Sequence, residues 1–137
     1  MKSIRVLSHT ADIRLLIRSN SRHELFRAGV LGLARIIAPP DSKKKHSVSK
    51  KIRVESRDLT ALFIDMLNEV VSLSHVNKCI FDRIKSLEIF EDRAVEVELE
   101  GYPVDRFIED VKAVTYHEAK IKKSILGILQ TVVILDI

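Results

Sequence analysis

The chain has 137 residues, of which 46% are apolar and 31% charged, with a formal net charge of +4. That length suits one domain with a real core. The charged fraction argues against a membrane protein, and no run approaches the ~20 apolar residues of a spanning helix. The single cysteine, Cys79, excludes an internal disulfide and a cysteine-based zinc site. No signal-peptide pattern opens the sequence, so a cytoplasmic protein without membrane contact is the expectation. The mildly basic balance permits an RNA or an acidic protein as partner without requiring either.

Ile4 to Leu7 is a short apolar run. Asp12 to Arg18 alternates, with Ile13, Leu15 and Ile17 on one face and Asp12, Arg14 and Arg18 on the other; both segments read as strands. Ser21 and Glu24 form an S-x-x-E capping box that opens a helix. Leu25, Phe26, Gly29, Leu33 and Ile36 line its apolar face, and Pro39-Pro40 stops it, so it should run to about Ile37. Asp41 to Lys51 is the one polar stretch, a loop leading into a strand through Ile52 and Val54. Asp58 can cap a second helix, in which Leu59, Leu62, Phe63, Met66, Leu67, Val70 and Val71 recur at amphipathic spacing. A strand pair follows, Ser86 to Phe90 and Arg93 to Glu100, turning at Glu91-Asp92. In its second strand Val95, Val97 and Leu99 alternate with Glu96, Glu98 and Glu100, which makes one face wet. Gly101 to Glu109 reads as a loop, Val111 to Ile121 as a strand, and Ile128 to Asp136 as a central strand with apolar residues on both faces. Two main helices packed on one side of a mostly antiparallel β-sheet make a single α+β domain over residues 1–137.

The last ten residues read ILQTVVILDI, a strand-like run at a chain end, where polar, frayed sequence is usual. A buried strand there would carry the α-carboxylate of Ile137 to the edge of the core, beside the carboxylate of Asp136. Two anions so placed need a cation or a set of hydrogen-bond donors. Two other short segments put titratable groups into apolar surroundings: His9-Thr10-Ala11-Asp12-Ile13, and Lys112 to His117.

Together these pieces resemble the archease family. The matching segments are HTADI at 9–13, LFRAGVLGLARII at 25–37, LNEV at 67–70, VKAVTYH at 111–117 and ILDI at 134–137, in order over nearly the whole chain. The chain departs from the family's usual pattern at Arg14 (usually Gly), Asn68 (more often Asp) and Asp110 (usually Glu), and residues 104–109 stand where a His-rich loop is common. The resemblance implies a calcium-type site whose ligands match Asp12, Asp136 and, through its carboxylate, Ile137. It also implies a protein that is not itself an enzyme. Such a protein activates the tRNA-splicing RNA ligase RtcB by promoting guanylylation of its active-site histidine and multiple turnover, with an indirect contact to tRNA among its expected partners and direct contact left open. A chaperone role has been proposed for the family as well.

The chemistry of the residues agrees with an oxygen-only site. Calcium takes ~6–8 oxygens and another hard divalent ion such as magnesium ~6, whereas zinc and copper prefer nitrogen and sulfur. Asp12 starts a strand and Asp136 ends one, so neighbouring antiparallel strands would bring them together. Taken alone, Asp12 also reads as a turn residue. His9, Glu69 and Lys112 are candidates for supporting the site or touching a partner. Their plainer readings are a hydrogen-bonded structural histidine, a solvated glutamate at the border of a helix stripe, and a strand-edge gatekeeper lysine. Tyr116 is expected in the core and Asp65 in solvent. The alternative function is a small RNA-binding or chaperone-like module using the basic loop 43–51, which holds Lys43, Lys44, Lys45, Lys50 and Lys51 but no aromatic residue for base stacking. No P-loop, nucleophile elbow or HExxH motif marks an enzyme.

Overall fold

The computed structural model describes residues 2–9 and 12–137, the side chains of residues 7–9 excepted. Helix α1 spans Arg22–Ile37. It begins where the sequence predicts: the Ser21 side chain accepts a hydrogen bond from the Glu24 N–H at 3.1 Å, satisfying one of the free N–H groups of the first turn. It ends at Ala38, just before Pro39. Helix α2, Leu59–Asn77, starts on Asp58, whose carboxylate accepts from the Ala61 N–H at 2.8 Å, and stops at Lys78 in the left-handed conformation, φ 48°. The two helices meet closely at Gly29. A Cβ there would stand 2.6 Å from the Phe63 ring, so only glycine allows this approach. By length and mean hydropathy alone α2 would pass for a membrane span. Its apolar residues Leu62, Phe63, Met66, Leu67, Val70 and Val71 are instead all taken up by the core.

The strands form two antiparallel sheets, where the sequence suggests a single mostly antiparallel one. The five-stranded sheet has β1 (Lys2–His9), β2 (Asp12–Ser19), β8 (Leu129–Asp136) and β6 (Ala113–Thr115) in that order, with the two-residue β7 (Lys122–Lys123) also beside β8. Strand β8 is thus central, as its two apolar faces require. The three-stranded sheet runs β3 (Val48–Glu55), β5 (Ala94–Pro103), β4 (Cys79–Phe90). Helix α1 touches β1 and β2 of one sheet and β4 of the other. This is why α1 is buried on nearly every side, and α2 completes the same α+β core.

Several boundaries differ from those read in the sequence, each for a local reason. Strand β3 begins at Val48 and takes in Lys50 and Lys51. Lys50 occupies a half-buried position and interrupts the alternation of Val48, Ile52 and Val54. Strand β4 begins at Cys79 rather than Ser86, because register shifts at Phe81/Arg83 and Ile84/Ser86 break its period of two. The expected strand from Val111 to Ile121 is reduced to Ala113–Thr115. Beyond it the chain turns through Glu118 at φ 61° and directs Ala119 into the core, where its carbonyl accepts from Thr131 Oγ1 at 2.5 Å.

Candidate functional site

The register of the five-stranded sheet brings the two ends of the chain together. Asp12 of β2 lies directly opposite Asp136 of β8, and Ala113 of β6 lies opposite Asp136 on the other side. Directly opposed residues of antiparallel strands point to the same face, with Cβ atoms about 4.5–5.5 Å apart. Ile13, Leu15, Ile17, Val133 and Leu135 are at most 3% exposed and face the core. Asp12 and Asp136 are one residue out of phase with them and therefore stand on the outer face. Asp12 is half-buried and Asp136 exposed. Among the described residues neither forms an ion pair. Among the described residues, the sheet end thus presents two juxtaposed carboxylates without a counter-cation.

The remaining candidates fall at different distances from this pair. Ile137 follows Asp136 and packs, half-buried, against the core. Lys112 has an exposed side chain, and its backbone N–H donates to the Asp136 carbonyl at 2.7 Å, so the VKAVTYH segment is tied to the last strand at the site itself. His9 ends β1 opposite Ile13; its side chain, and all of Thr10 and Ala11, lie outside the described residues. Glu69 is exposed on α2, and among the described residues it joins no side-chain hydrogen bond or ion pair.

The residue that organises this end of the molecule is Asn68, which the sequence reading left without a role. Its amide nitrogen donates to the Val114 carbonyl and its oxygen accepts from the Val114 N–H, both at 2.8 Å. The side chain acts as one rung of a β-ladder between α2 and β6. An aspartate could accept from that N–H but could not donate to the carbonyl. About two turns further along α2, His75 Nε2 hydrogen-bonds the Val111 carbonyl at 2.9 Å, and its ring meets Phe107 edge-on. Together they pin residues 111–114 and hence the strand beside Asp136. The available signal was a carboxamide inside a helix, where Asn is disfavoured unless it has work elsewhere.

Tyr116 is half exposed rather than in the core; its hydroxyl donates to Asp65, which also accepts from Ser56 Oγ. That hydrogen bond to a carboxylate, with some burial, raises the Tyr116 pKa above its usual value. Asp65 is correspondingly half-buried instead of solvated. Arg14, on the outer face two residues beyond Asp12, pairs with Glu118, so its charge is already matched. Cys79 is the buried small hydrophobe its context predicts, with burial pushing its thiol up to about 11.

The donor set can be tested against a cation. Among the described residues no three His, Cys, Asp or Glu side chains gather into a metal-sized cluster. The acid pair supplies two carboxylates, both oxygen donors. Such a set suits a hard divalent ion and disfavours zinc and copper.

Two helices held between antiparallel sheets, with a cross-strand acid pair at one sheet end, define a small α+β protein with a candidate cation site. The model of the archease protein family (MTH1598/TM1083) matches residues 5–137, and the chain belongs to the archease family. It is 29% identical over 133 residues to protein archease of Methanosarcina acetivorans, covering 92% of this chain and 90% of that one. It is 28% identical over 129 residues to protein archease of Pyrococcus abyssi, covering 90% of each. The fold matches the solution structure of Methanobacterium thermoautotrophicum protein 1598 with a TM-score of 0.75, at 20% identity over 98% of both chains. It also matches a crystal structure from Thermotoga maritima, described as "an archease, possible chaperone", with a TM-score of 0.64 at 22% identity, over 97% of this chain and 96% of that one.

Proposed function

We propose that this protein is a non-catalytic, metal-dependent activator of the tRNA-splicing RNA ligase RtcB, promoting guanylylation of the ligase and its multiple turnover. The observation that carries the reading is the cross-strand pair Asp12–Asp136 in a chain of the archease family. Like charges directly opposed on a sheet are destabilising, so a sheet that keeps such a pair at its end is suited to hold a cation there. Asp12, Asp136 and the Ile137 carboxylate would hold calcium or another hard divalent ion. Such an ion, when bound, supplies charge neutralisation for phosphoryl transfer, a reaction that depends chiefly on positioning and electrostatics. This chain's own residues hold the carboxylates in register through β2 and β8. They also keep the neighbouring strand in place through Asn68, and they present Lys112 and Glu69 nearby for a partner.

The experiment is a guanylylation assay of the cognate ligase with labelled GTP, with and without this protein. Faster guanylylation and more than one turnover per ligase are expected; unaltered kinetics would remove the reading. A second reading, a chaperone, is favoured by the description of the Thermotoga maritima structure. It predicts suppressed aggregation of unrelated client proteins, independent of calcium.

A further inference from the structure

The outer face of the five-stranded sheet carries a set of cations that the acid pair does not use. The register aligns Lys122 of β7, Gln130 of β8, Arg18 of β2 and Ser3 of β1 in one row across the sheet. Arg5 stands in the next interior row, opposite Leu16. With strands about 4.8 Å apart, Lys122 and Arg18 are two spacings, roughly 10 Å, from one another. Arg5 is the diagonal neighbour of Arg18 at about 7–8 Å. Arg18 Nε donates to Gln130 Oε1 at 2.7 Å, a neutral acceptor that leaves the guanidinium charge unmatched. Among the described residues neither Arg5 nor Lys122 stands in an ion pair. The carboxylates Asp12 and Asp136 lie at the other end of the face. Asp136 is six residues along β8 from Gln130, roughly 20 Å.

We propose that this face binds the phosphate backbone of a nucleic acid strand through Arg5, Arg18 and Lys122. Three features select phosphates over a protein or a lipid surface. The cations are spaced across the face, and two of the three are guanidiniums, whose planar fork matches phosphate oxygens. The other groups of the Lys122–Arg18 row, Gln130 and Ser3, are hydrogen-bonding rather than apolar. Of the apolar residues of the face, Leu16 is 8% and Ile134 6% exposed and Val132 is half-buried, so it lacks a fully exposed apolar anchor of the kind on which protein interfaces are built. The exposed apolar pair Ile125 and Leu126 sits instead at the turn between β7 and β8, beyond the row of cations. If lipid or protein were the ligand, that tip would carry the binding.

The proposal is independent of the ligase reading, because its test uses only the purified protein and an oligonucleotide. A labelled 20-nucleotide RNA and the same sequence as DNA are titrated with protein at 50 and 200 mM salt, followed by fluorescence anisotropy. Three phosphate contacts on a single strand predict a log–log salt slope near −2, so affinity should fall about 15- to 20-fold between the two salts. The triple variant Arg5→Gln/Arg18→Gln/Lys122→Gln, checked for an unchanged melting temperature, should lose most of the affinity at 50 mM and most of the slope. The variants Lys43→Ser/Lys44→Ser/Lys45→Ser and Ile125→Ser/Leu126→Ser should bind as the wild type does. Absence of binding by the wild type at 50 mM salt would overturn the proposal. So would full affinity in the triple glutamine variant, or loss of binding in the loop or tip variant.

Discussion

The two sheets treat charge in opposite ways. On the three-stranded sheet the acids have cations within the fold: Glu96 faces Glu88 on one side but Arg53 on the other, with Nη1 to Oε2 at 2.6 Å, and Lys51 faces Glu98. On the five-stranded sheet the corresponding pair is Asp12 and Asp136, two carboxylates face to face. A cross-strand pair is worth about 0.2–1 kcal/mol, favourable for unlike charges and unfavourable for like ones. The first sheet therefore satisfies itself, and exposed pairs of that kind add little beyond solubility and register. Among the described residues the second leaves its acid pair unmatched. Where a small protein keeps an avoidable repulsion in register, the ligand that relieves it is the natural explanation.

The comparison breaks most completely if the acid pair is converted into the other kind. Asp12→Lys puts an unlike pair opposite Asp136. Without metal it should melt higher than the wild type, by the equivalent of about 0.5–2 kcal/mol. Calcium should no longer raise the melting temperature, and activation of the ligase should disappear. Thermal melts with calcium and with chelator, beside the guanylylation assay, check all three.

A smaller effect is expected from the support of the acid end. Asn68→Ala leaves the Val114 N–H and C=O without the partners they have now. Denaturant unfolding should show a loss of about 1–3 kcal/mol, the cost of stranding buried polar groups. Activation should fall with it as β6 loosens beside Asp136. On the self-satisfied sheet, Glu96→Arg places a like pair opposite Arg53. It also turns the Glu88–Glu96 like pair into an unlike one, so the two cross-strand terms oppose each other and the net change should stay within about 0.5 kcal/mol, with calcium binding and activation unchanged. That contrast in function, at similar or smaller energetic cost, sharpens the distinction between the two sheets.

The effect confined to alkaline pH belongs to the core both sheets share. The Cys79 thiol is held protonated up to about 11, against an ordinary value of 9.0. In the unfolded chain it ionises first, so its contribution to stability is full below pH 9 and is lost as pH rises from there towards 11. Tyr102, raised mainly by burial, and Tyr116 act in the same direction above their ordinary value of 10.0. Unfolding free energies across this range should decline in the wild type and decline less steeply in Cys79→Ala, whatever that variant's stability at neutral pH.

Both helices were legible in the sequence because their signals are local. Ser21 and Asp58 cap them, Pro39 ends the first, and the apolar spacing of Leu62 to Val71 fixes the buried stripe of the second. The acid pair was legible as two strand ends with carboxylates, although their register is a non-local fact that only the assembled sheet supplies. What stayed hidden depended on contacts between distant segments. Two register shifts concealed the start of β4, and a half-buried lysine concealed that of β3. The brevity of β6 follows from a turn at Glu118, a residue with no conformational signature of its own. Asn68 is out of place inside a helix, but its partner Val114 is 46 residues away, so the linear chain does not show what it bonds to.

The central claim is that Asp12 and Asp136 together hold a divalent cation. Its most direct test is calcium titration by calorimetry of the wild type and of the single variants Asp12→Asn and Asp136→Asn, which keep size and hydrogen bonding but remove one charge each. Saturable binding by the wild type, at least tenfold weaker in each variant, is the predicted result. Equal calcium affinity in all three proteins, or no binding by the wild type, would contradict the account.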